Sequence, residues 1–367
     1  MATGFFWDEK CFWHGGGNYA FTLPLGGLVQ PLAAGGLPES PETKRRLKNL
    51  MDVTGLTSEL ATQSAAPATR EDLLRIHPAS YLDEFKRLSD AGGGELGMRT
   101  PFAQGGFEQC ALSAGLAKAA VEQVWTGALD NAYALSRPPG HHCLPDFPNG
   151  FCLLANIAIA IEAAQATHGL GKVAVLDWDV HHGNGTEAIY YDREDVLTIS
   201  IHQEGNYPLD TGAISDRGTG AGTGLNMNIP LPAGAGDTAY EDVMNLIVRP
   251  ALDRFQPDMI IVACGFDAAA VDPLARMLVT ANGFATMTRQ IMNAADTLCG
   301  GKLVLVHEGG YSEVYVPFCG HATIATLAGS AICAADPLEV NLTARQPRGR
   351  FAEFLKGEVA QLADHFS

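Results

Sequence analysis

The feature that most constrains the fold is a repeated alternation, after residue 130, of short apolar runs with longer segments of helical spacing. The runs are rich in β-branched residues and are interpreted as strands buried on both faces. We expect strands over 131–136, 172–180, 196–202, 259–266 and 302–307, and helices over 156–166, 237–254, 283–298 and 321–329. An order in which strand and helix follow each other is typical of α/β proteins.

This order predicts a mainly parallel central sheet flanked by helices, because right-handed crossovers between parallel strands carry their helices onto the sheet faces. Helical patterns over 42–51, 69–88 and 107–126 predict that helices dominate the first third of the chain, before the sheet is completed. No long, polar, proline-rich stretch separates these segments. We therefore expect one α/β domain over 1–367.

Composition and charge restrict the partners. Hydrophobic residues make up 47% of the chain and charged residues 18%, which is typical of a folded, enzyme-sized protein and excludes a disordered one. The formal net charge of −17 disfavours nucleic acid and anionic membranes as direct partners. No basic leader followed by an apolar stretch opens the sequence, so we expect a cytoplasmic protein.

Two further features concern association and redox state. The uncharged stretch over 20–38 is interrupted by prolines and glycines, which argues against a membrane-spanning helix and predicts an ordered loop. Apolar residues in this loop favour a homo-oligomer, either a dimer or a tetramer. The eight cysteines form no C-x-x-C pair and several lie in apolar segments, so we expect reduced, buried thiols.

Polar residues suited to chemistry come directly after three of the predicted strands. The segment D-W-D-V-H-H-G-N-G occupies 177–185, Asp267 follows the strand that begins at residue 259, and H-E-G-G-Y occupies 307–311. The carboxyl ends of parallel strands form the edge at which open sheets bind their ligands. We therefore expect these three segments to build one site.

Three side chains in these segments are candidate metal ligands. Because side chains alternate along an extended segment, Asp179 and His181 should point to the same side, and Asp267 can complete the set from another strand. Two carboxylates and one imidazole leave positions open for water and substrate, as in catalytic zinc sites, and Fe²⁺ or Co²⁺ would also suit them. Taken alone, an aspartate and a histidine two residues apart could equally be chance polar residues at a strand end.

Two other motifs supply acid–base and hydrogen-bonding groups. A proline- and glycine-containing turn presents His141 and His142 side by side, and histidine is suited to take a proton near neutral pH. Asp177 and Asn184 are natural partners for the far ring nitrogens. Tyr311 follows two glycines, and its hydroxyl could donate a hydrogen bond to an oxyanion. The alternatives are structural histidines and a core tyrosine after a turn.

Taken together, the motifs closely resemble those of the histone deacetylase family. They are R-P-P-G-H-H at 137–142, G-F-C at 150–152, D-W-D-V-H-H-G-N-G-T at 177–186, G-F-D at 265–267, D-P-L at 272–274 and E-G-G-Y at 308–311. They occur in order over most of the chain, and the segment at 177–184 is similar to the class II branch and its bacterial amidohydrolases. The resemblance implies an arginase-like α/β fold, in agreement with the order of strands and helices.

The resemblance also implies the roles of the catalytic residues. Asp179, His181 and Asp267 would bind Zn²⁺. His142 would be the general base, and His141 would be the electrostatic partner that protonates the leaving amine. Tyr311 would polarise the carbonyl. Asp177 would orient His141, and Asn184 would orient His142.

Further residues would form the channel and the potassium sites. The acyl channel would involve Gly150, whose carbonyl receives the substrate N–H, together with Phe151, Tyr207, Leu274, Gly309 and Gly310. Tyr207 stands where the family usually has phenylalanine, which leaves the acyl preference open. A structural K⁺ would lie at Asp177, Asp179, His181, Ser200 and Ile201, and a second, outer K⁺ at Tyr190, Arg193 and Val196.

The resemblance implies hydrolysis of short acyl amides by a metal-activated water. Acyl-lysine, acetylpolyamines and foreign amides are all candidate substrates. The loop over 89–104 is expected to form part of the pocket rim, and only Asp90 or Glu95 could contact a polyamine there, so small neutral amides are credible. Two other functions stay open: an arginase-like ureohydrolase with two Mn²⁺ ions, and a non-catalytic module that binds acyl amines.

Overall fold

The computed structural model describes residues 2–24 and 36–367. In this part of the chain, a central sheet has eight strands, and all neighbouring strands pair in parallel. The strands are β1 (Thr3–Phe6), β2 (Ala61–Gln63), β3 (Asn131–Ala134), β4 (Val173–Asp177), β5 (Val196–Gln203), β6 (Asn226–Leu231), β7 (Met259–Cys264) and β8 (Leu303–His307). Their order across the sheet is β6-β5-β4-β7-β8-β3-β1-β2.

Helices flank this sheet. The α-helices cover Glu42–Thr54, Arg70–Leu74, Ala79–Asp90, Gly106–Trp125, Asn156–His168, Asn184–Tyr190, Asp237–Val243, Arg249–Phe255, Ala281–Cys299, Val316–Ala328, Glu339–Ala344 and Arg350–Phe366. Short 3₁₀ turns cover Glu9–Trp13, Leu56–Glu59 and Gly220–Gly222. Two small antiparallel pairs, Tyr19–Ala20 with Leu23–Pro24 and Gly93–Glu95 with Pro101–Ala103, lie outside the main sheet.

The predicted α/β fold with a parallel sheet is confirmed. Every residue of β4, β7 and β8 is buried, as expected for strands covered on both faces. Burial of each large aliphatic side chain in these strands contributes roughly 1.5–3 kcal/mol, so the strands form a stable base for the loops at their carboxyl ends. Those loops carry the polar segments identified in the sequence.

The first third of the chain contains the predicted helices, but it also supplies two strands of the sheet that were not predicted. β1 lies inside the sheet, between β3 and β2, so the N-terminal residues complete the sheet early rather than preceding it. β1 has four residues and β2 has three, which is too short for a periodic pattern to show. β6 and the C-terminal helix Arg350–Phe366 are also absent from the predictions.

Two predicted helices are interrupted, and proline explains both interruptions. The segment over 69–88 forms the helices Arg70–Leu74 and Ala79–Asp90, because Pro78 cannot donate a backbone hydrogen bond within a helix. The segment over 237–254 contains a π-helical turn at Met244–Val248, directly before the helix that has Pro250 in its first turn.

The described residues bear on two further predictions. Seven cysteines are buried, Cys333 is exposed, and all eight are free. None of the helices in residues 2–24 and 36–367 has both the length and the apolar character needed to cross a bilayer. The predicted loop over 20–38 falls largely outside the described residues, so the homo-oligomer stays a prediction.

A buried group of charges fixes the turn that leads to His141 and His142. Arg137 Nε and Nη2 donate to the Glu39 carboxylate at 3.0 and 2.9 Å, and Lys44 Nζ lies 3.2 Å from the same carboxylate. Arg137 Nη1 also donates to the backbone carbonyls of Cys11 and His14 at 3.1 and 2.7 Å. Although burial opposes ionisation, Arg137 and Lys44 lower the pKa of Glu39 to about 2.

We predict that Glu39→Gln destabilises the fold by about 3–5 kcal/mol, because the substitution leaves two buried cations without a counter-charge. Urea denaturation measures this change, and Asp83→Asn, which breaks an exposed ion pair with Arg70, should cost less than about 1 kcal/mol. The Glu39 contribution is present above its ordinary pKa of 4.5 and is lost as the pH falls toward about 2. Equal losses of unfolding free energy in Glu39→Gln and Asp83→Asn would contradict the prediction.

Candidate active site

A cavity of about 180 Å³ opens where the chain leaves the carboxyl ends of the strands. Five loops that follow strands of the central sheet contribute to it, as expected for an open parallel sheet, and the loops that carry Thr22 and Arg99 complete it. The described residues that line it are Thr22, Arg99, His142, Gly150, Phe151, His181, Asn206, Tyr207, Leu274 and Tyr311.

Three buried side chains form a compact cluster beside this cavity. Asp179, His181 and Asp267 offer ligand atoms that all lie within 4.8 Å of one another. His181 Nδ1 is 3.0 Å from Asp179 Oδ1 and 3.1 Å from Asp267 Oδ2. The structure therefore brings together the three residues that the sequence singled out as metal ligands.

The reason given for this convergence was wrong, because β4 ends at Asp177 and the next residues turn instead of alternating along a strand. Side-chain oxygens shape the turn: Asp179 N donates to Asp177 Oδ1 at 3.0 Å, and His181 N donates to Asp179 Oδ1 at 2.9 Å. Val180 N donates to Asp267 Oδ1 at 2.8 Å, so the loop after β7 is attached to the same turn. Aspartates commonly stabilise turns in this way.

The donor set fits a divalent cation. Asp267 Oδ2 is buried and has no hydrogen-bond partner among the described residues, despite its 3.1 Å approach to His181 Nδ1. Burial alone would lower the pKa of His181, but the Asp267 and Asp179 carboxylates raise it to about 10. Burial and the charge of Asp179 raise the pKa of Asp267 to about 6, against the opposing effect of His181. The cluster thus attracts positive charge, and a divalent cation would displace the His181 proton.

Two glycines give this cluster its space. A Cβ atom on Gly265 would collide with Asp179 Oδ2, and one on Gly309 would collide with Asp267 Oδ2. Gly309 N also donates to Asp179 Oδ2 at 2.8 Å. Gly309 therefore lies behind the carboxylates and holds one of them in place.

His141 and His142 lie side by side, with ring centroids 3.9 Å apart. His141 Nδ1 is 2.8 Å from Asp177 Oδ2, and His142 Nδ1 is 2.9 Å from Asn184 Oδ1. Since both oxygens accept, each ring carries its proton on Nδ1, and the lone pair of neutral His142 lies on Nε2. The two histidines thus have the orienting partners that the sequence suggested.

The surrounding groups shift the pKa values of His141 and His142 in opposite directions. Burial opposes protonation of both rings, but the Asp179 and Asp177 carboxylates raise the pKa of His141 well above its ordinary value. Burial, followed by the charges of His141 and His181, lowers the pKa of His142 well below its ordinary value. His141 is therefore held as a cation and His142 as a neutral base, a division typical of paired catalytic groups.

Glu308 holds the turn that carries these histidines. Its Oε2 accepts hydrogen bonds from Gly140 N at 2.6 Å and His141 N at 3.1 Å. The Glu308, His141 and Cys152 side chains also approach one another closely. Oε2 is thus occupied by the turn, whereas Glu308 Oε1 is buried and has no hydrogen-bond partner among the described residues. The contacts of Oε2 show that this second cluster supports the histidine pair.

Tyr311 faces the cluster from the opposite side of the cavity. Its ring lies 6.1 Å from the His181 ring and 5.7 Å from the Phe151 ring. Its hydroxyl would lie 2.9 Å from a Cβ on Gly309, which places it next to the carboxylates. Burial and the nearby carboxylates raise the pKa of Tyr311 well above its ordinary value, so the phenol stays protonated and can donate.

Asp272 connects two walls of the cavity, a role that the sequence did not indicate beyond the D-P-L motif. Its Oδ2 accepts from Tyr311 N and its Oδ1 from Leu274 N, both at 2.8 Å. Burial and the charge of Asp267 raise the pKa of Asp272 to about 8. Asp272 therefore positions both Tyr311 and Leu274.

Tyr207 forms the wall opposite Phe151. Its ring packs edge-on against His142, with centroids 5.1 Å apart, and its hydroxyl donates to Asn149 Oδ1. The hydroxyl that distinguishes Tyr207 from phenylalanine is thus hydrogen-bonded within the cavity wall. Gly150 adopts a φ of +48° and lies close to the rings of His142 and Tyr207. A side chain at this position would therefore fill the cavity.

A histone deacetylase domain model matches residues 37–327, which is most of the chain. The chain belongs to the histone deacetylase family. It is 57% identical over 364 residues to a histone deacetylase-like amidohydrolase of Pseudomonas aeruginosa, covering 99% of this chain and 96% of the relative. A probable deacetylase of Archaeoglobus fulgidus is 38% identical over 298 residues, covering 80% and 82% of the two chains.

A solved structure of this histone deacetylase family, the HDA15 HD domain, superposes with a TM-score of 0.82 at 30% identity and covers 99% of both chains. The predicted family and its fold are therefore confirmed. The prediction of an enzyme is confirmed as well, because these homologues indicate a hydrolase that acts on amide bonds.

Some predicted residues lie away from the cavity of this histone deacetylase domain. Gly310 packs near Phe266 and Val316, behind the channel. Ser200 pairs with Asp177 in the register of β4 and β5, and Ile201 is buried in β5. The residues suggested for an outer K⁺, Tyr190, Arg193 and Val196, precede Ser200 in the chain, and Arg193 forms ion pairs with Asp195 and Glu162.

Proposed function

We propose that this protein is a zinc-dependent deacylase that removes short acyl groups from amines. The observation that carries the proposal is that one cavity contains a neutral histidine, a protonated phenol and, next to them, a carboxylate–imidazole cluster suited to a divalent cation. Asp179, His181 and Asp267 would hold the cation, which when bound would activate water and polarise the acyl carbonyl. Fe²⁺ or Co²⁺ would fit the same ligands.

The protein side chains then provide proton transfer and charge stabilisation. His142 Nε2 would accept the proton of the attacking water, while Asn184 holds the ring in the required tautomer. Water oxygen bonds to the acyl carbon, and Tyr311 donates a hydrogen bond to the oxyanion that forms on the carbonyl oxygen. The carbon–nitrogen bond breaks as the histidine pair returns a proton to nitrogen, which gives a carboxylate and an amine.

The two other functions receive less support. A ureohydrolase with two Mn²⁺ ions needs a second set of carboxylates, whereas the described residues offer only one aspartate-rich cluster. A module that only binds acyl amines would not need a base whose pKa is lowered beside a cation site. Metal analysis and release of acetate from acetyl-lysine would distinguish the three functions.

We also infer a K⁺ near Asp177, Asp179, His181, Ser200 and Ile201. The proposed K⁺ site is supported by the pairing of Asp177 with Ser200 on the adjacent strands β4 and β5. A potassium titration of thermal stability in a sodium buffer would test it.

We predict that Tyr311→Phe lowers kcat by about 10²–10³, because the oxyanion loses its hydroxyl donor while the ring still fills the wall. Acetate release from an acetyl-lysine reporter measures the loss, and metal content and the unfolding midpoint should stay unchanged. Tyr191→Phe, at a tyrosine that does not line the described cavity, is the matched control and should keep full activity. A Tyr311→Phe variant with wild-type kcat would overturn the assigned role.

A further inference from the structure

Arg99 lies on the wall of the active-site cavity, in the loop that joins Gly93–Glu95 to Pro101–Ala103. Its φ of +60° is in the left-handed region, which residues other than glycine rarely adopt. Backbone hydrogen bonds hold it there: Phe151 N donates to Arg99 O at 3.1 Å, and Gly150 N donates to Met98 O at 3.0 Å. Arg99 is thus fixed to the same wall as Phe151, and such strained positions are concentrated at functional sites.

Among the described residues, the guanidinium group of Arg99 has an aromatic neighbour but no counter-ion. Its Cζ lies 5.1 Å from the centroid of the Tyr207 ring, which in turn packs against His142. No carboxylate within residues 2–24 and 36–367 forms an ion pair with Arg99, although the chain has 41 acidic and 24 basic residues. One donor of the guanidinium is hydrogen-bonded to the Tyr207 side chain, and the planar group has further N–H donors for a planar anion.

The acidic residues of the rim are occupied elsewhere. Asp90 forms an ion pair with Lys86, and Glu95 accepts hydrogen bonds from Tyr19 and from the backbone of Thr100. Neither residue lines the described part of the cavity. A cationic amine such as a polyamine would therefore meet a positive charge at this wall instead of a carboxylate.

We propose that Arg99 selects substrates that carry a carboxylate on the amine side of the scissile amide. The inference rests on the proposed function: if the acyl group enters toward the Asp179–His181–Asp267 cluster, the amine portion extends outward past Arg99. An arginine fork binds a carboxylate through two parallel hydrogen bonds. The substrate class is therefore acylated amino acids with a free carboxylate, including an acyl-lysine at the C-terminus of a peptide.

The test compares two substrates that differ by one charge, Nα-benzoyl-Nε-acetyl-L-lysine and its carboxamide, on the metal-loaded enzyme. We expect kcat/KM to be about tenfold higher for the carboxylate, and the preference to shrink as salt is added. Arg99→Asn should abolish this preference, because asparagine tolerates the left-handed conformation but carries no positive charge. Arg99→Lys should retain part of the preference, and Arg289→Asn, at an exposed position away from the described cavity wall, should retain all of it.

Binding of uncleavable analogues separates this inference from the proposed function. In these analogues a methylene replaces the amide nitrogen, so a methyl ketone replaces the acetamide and affinity is measured by calorimetry without turnover. Tighter binding of the carboxylate analogue to wild type than to Arg99→Asn, without hydrolysis of either substrate, would support Arg99 and refute the deacylase. Equal binding of the two analogues by wild type, or a carboxylate preference that survives in Arg99→Asn, would overturn the role of Arg99.

Discussion

Asp267→Asn is expected to abolish metal binding and to lower hydrolysis by at least about 10³-fold, because Lewis-acid activation of water requires the complete ligand set. The substitution keeps the shape of the side chain and an oxygen for the Val180 N–H, but it removes the charge of an atom that has no other partner among the described residues. Metal content after dialysis, measured by mass spectrometry, should fall from about one ion per chain to a small fraction of one.

The same variant should not be stabilised by added zinc, in contrast to the wild type. Burial and the charge of Asp179 both oppose ionisation of Asp267, so the metal-free variant is expected to be at least as stable as the metal-free wild type. Zinc should raise the melting temperature of the wild type only, since a ligand stabilises the folded state that binds it. Asp237→Asn removes a half-buried carboxylate, one that accepts from Thr280, and should leave metal content unchanged. A Asp267→Asn variant that retained its metal would refute the assigned ligand set.

Some of the predicted site residues are encoded within a few residues of each other, whereas Asp267 and Tyr311 were predicted because they follow other strands of the same sheet. His141 and His142 are adjacent, and Asp179 and His181 follow one strand end, so their proximity needs no long-range information. Even there, the expected alternation was wrong, because Asp177 and Asp179 accept backbone hydrogen bonds and end the strand early. Local hydrogen bonding of this kind competes with strand geometry and leaves no trace in the apolar pattern.

The parts that could not be predicted depend on contacts between distant segments. Asp272 acts through one hydrogen bond to the backbone of Tyr311, 39 residues further along the chain. Arg99 reaches the cavity because its loop pairs with the backbone of Gly150 and Phe151. β1 has only four residues and is a strand because it lies between β3 and β2. Tertiary contacts determine such elements, so neither the intrinsic propensity of the residues nor the hydrophobic periodicity predicts them.

His142→Ala should lower kcat by about 10²–10⁴, the usual contribution of a general base, without loss of metal. Metal should be retained because His142 is not one of the three residues of the Asp179–His181–Asp267 cluster, and its Nδ1 faces Asn184. Steady-state kinetics and metal content measured on one preparation distinguish this loss from that of Asp267→Asn. Asn184→Ala, which removes only the orienting partner, should cost less, about 10–100-fold.

His141→Asn then tests which of the two imidazoles, His141 or His142, acts as the general base. The positive charge of His141 is one cause of the low pKa of His142, so its removal should raise the pKa of His142. A base with a higher pKa is protonated earlier as the pH falls, and the acid limb of kcat/KM in His141→Asn should therefore move to higher pH. If His141 were the base instead, its replacement would abolish that limb and His142→Ala would leave it in place. A pH profile of both variants thus assigns the base by the direction of the shift as well as by the size of the loss.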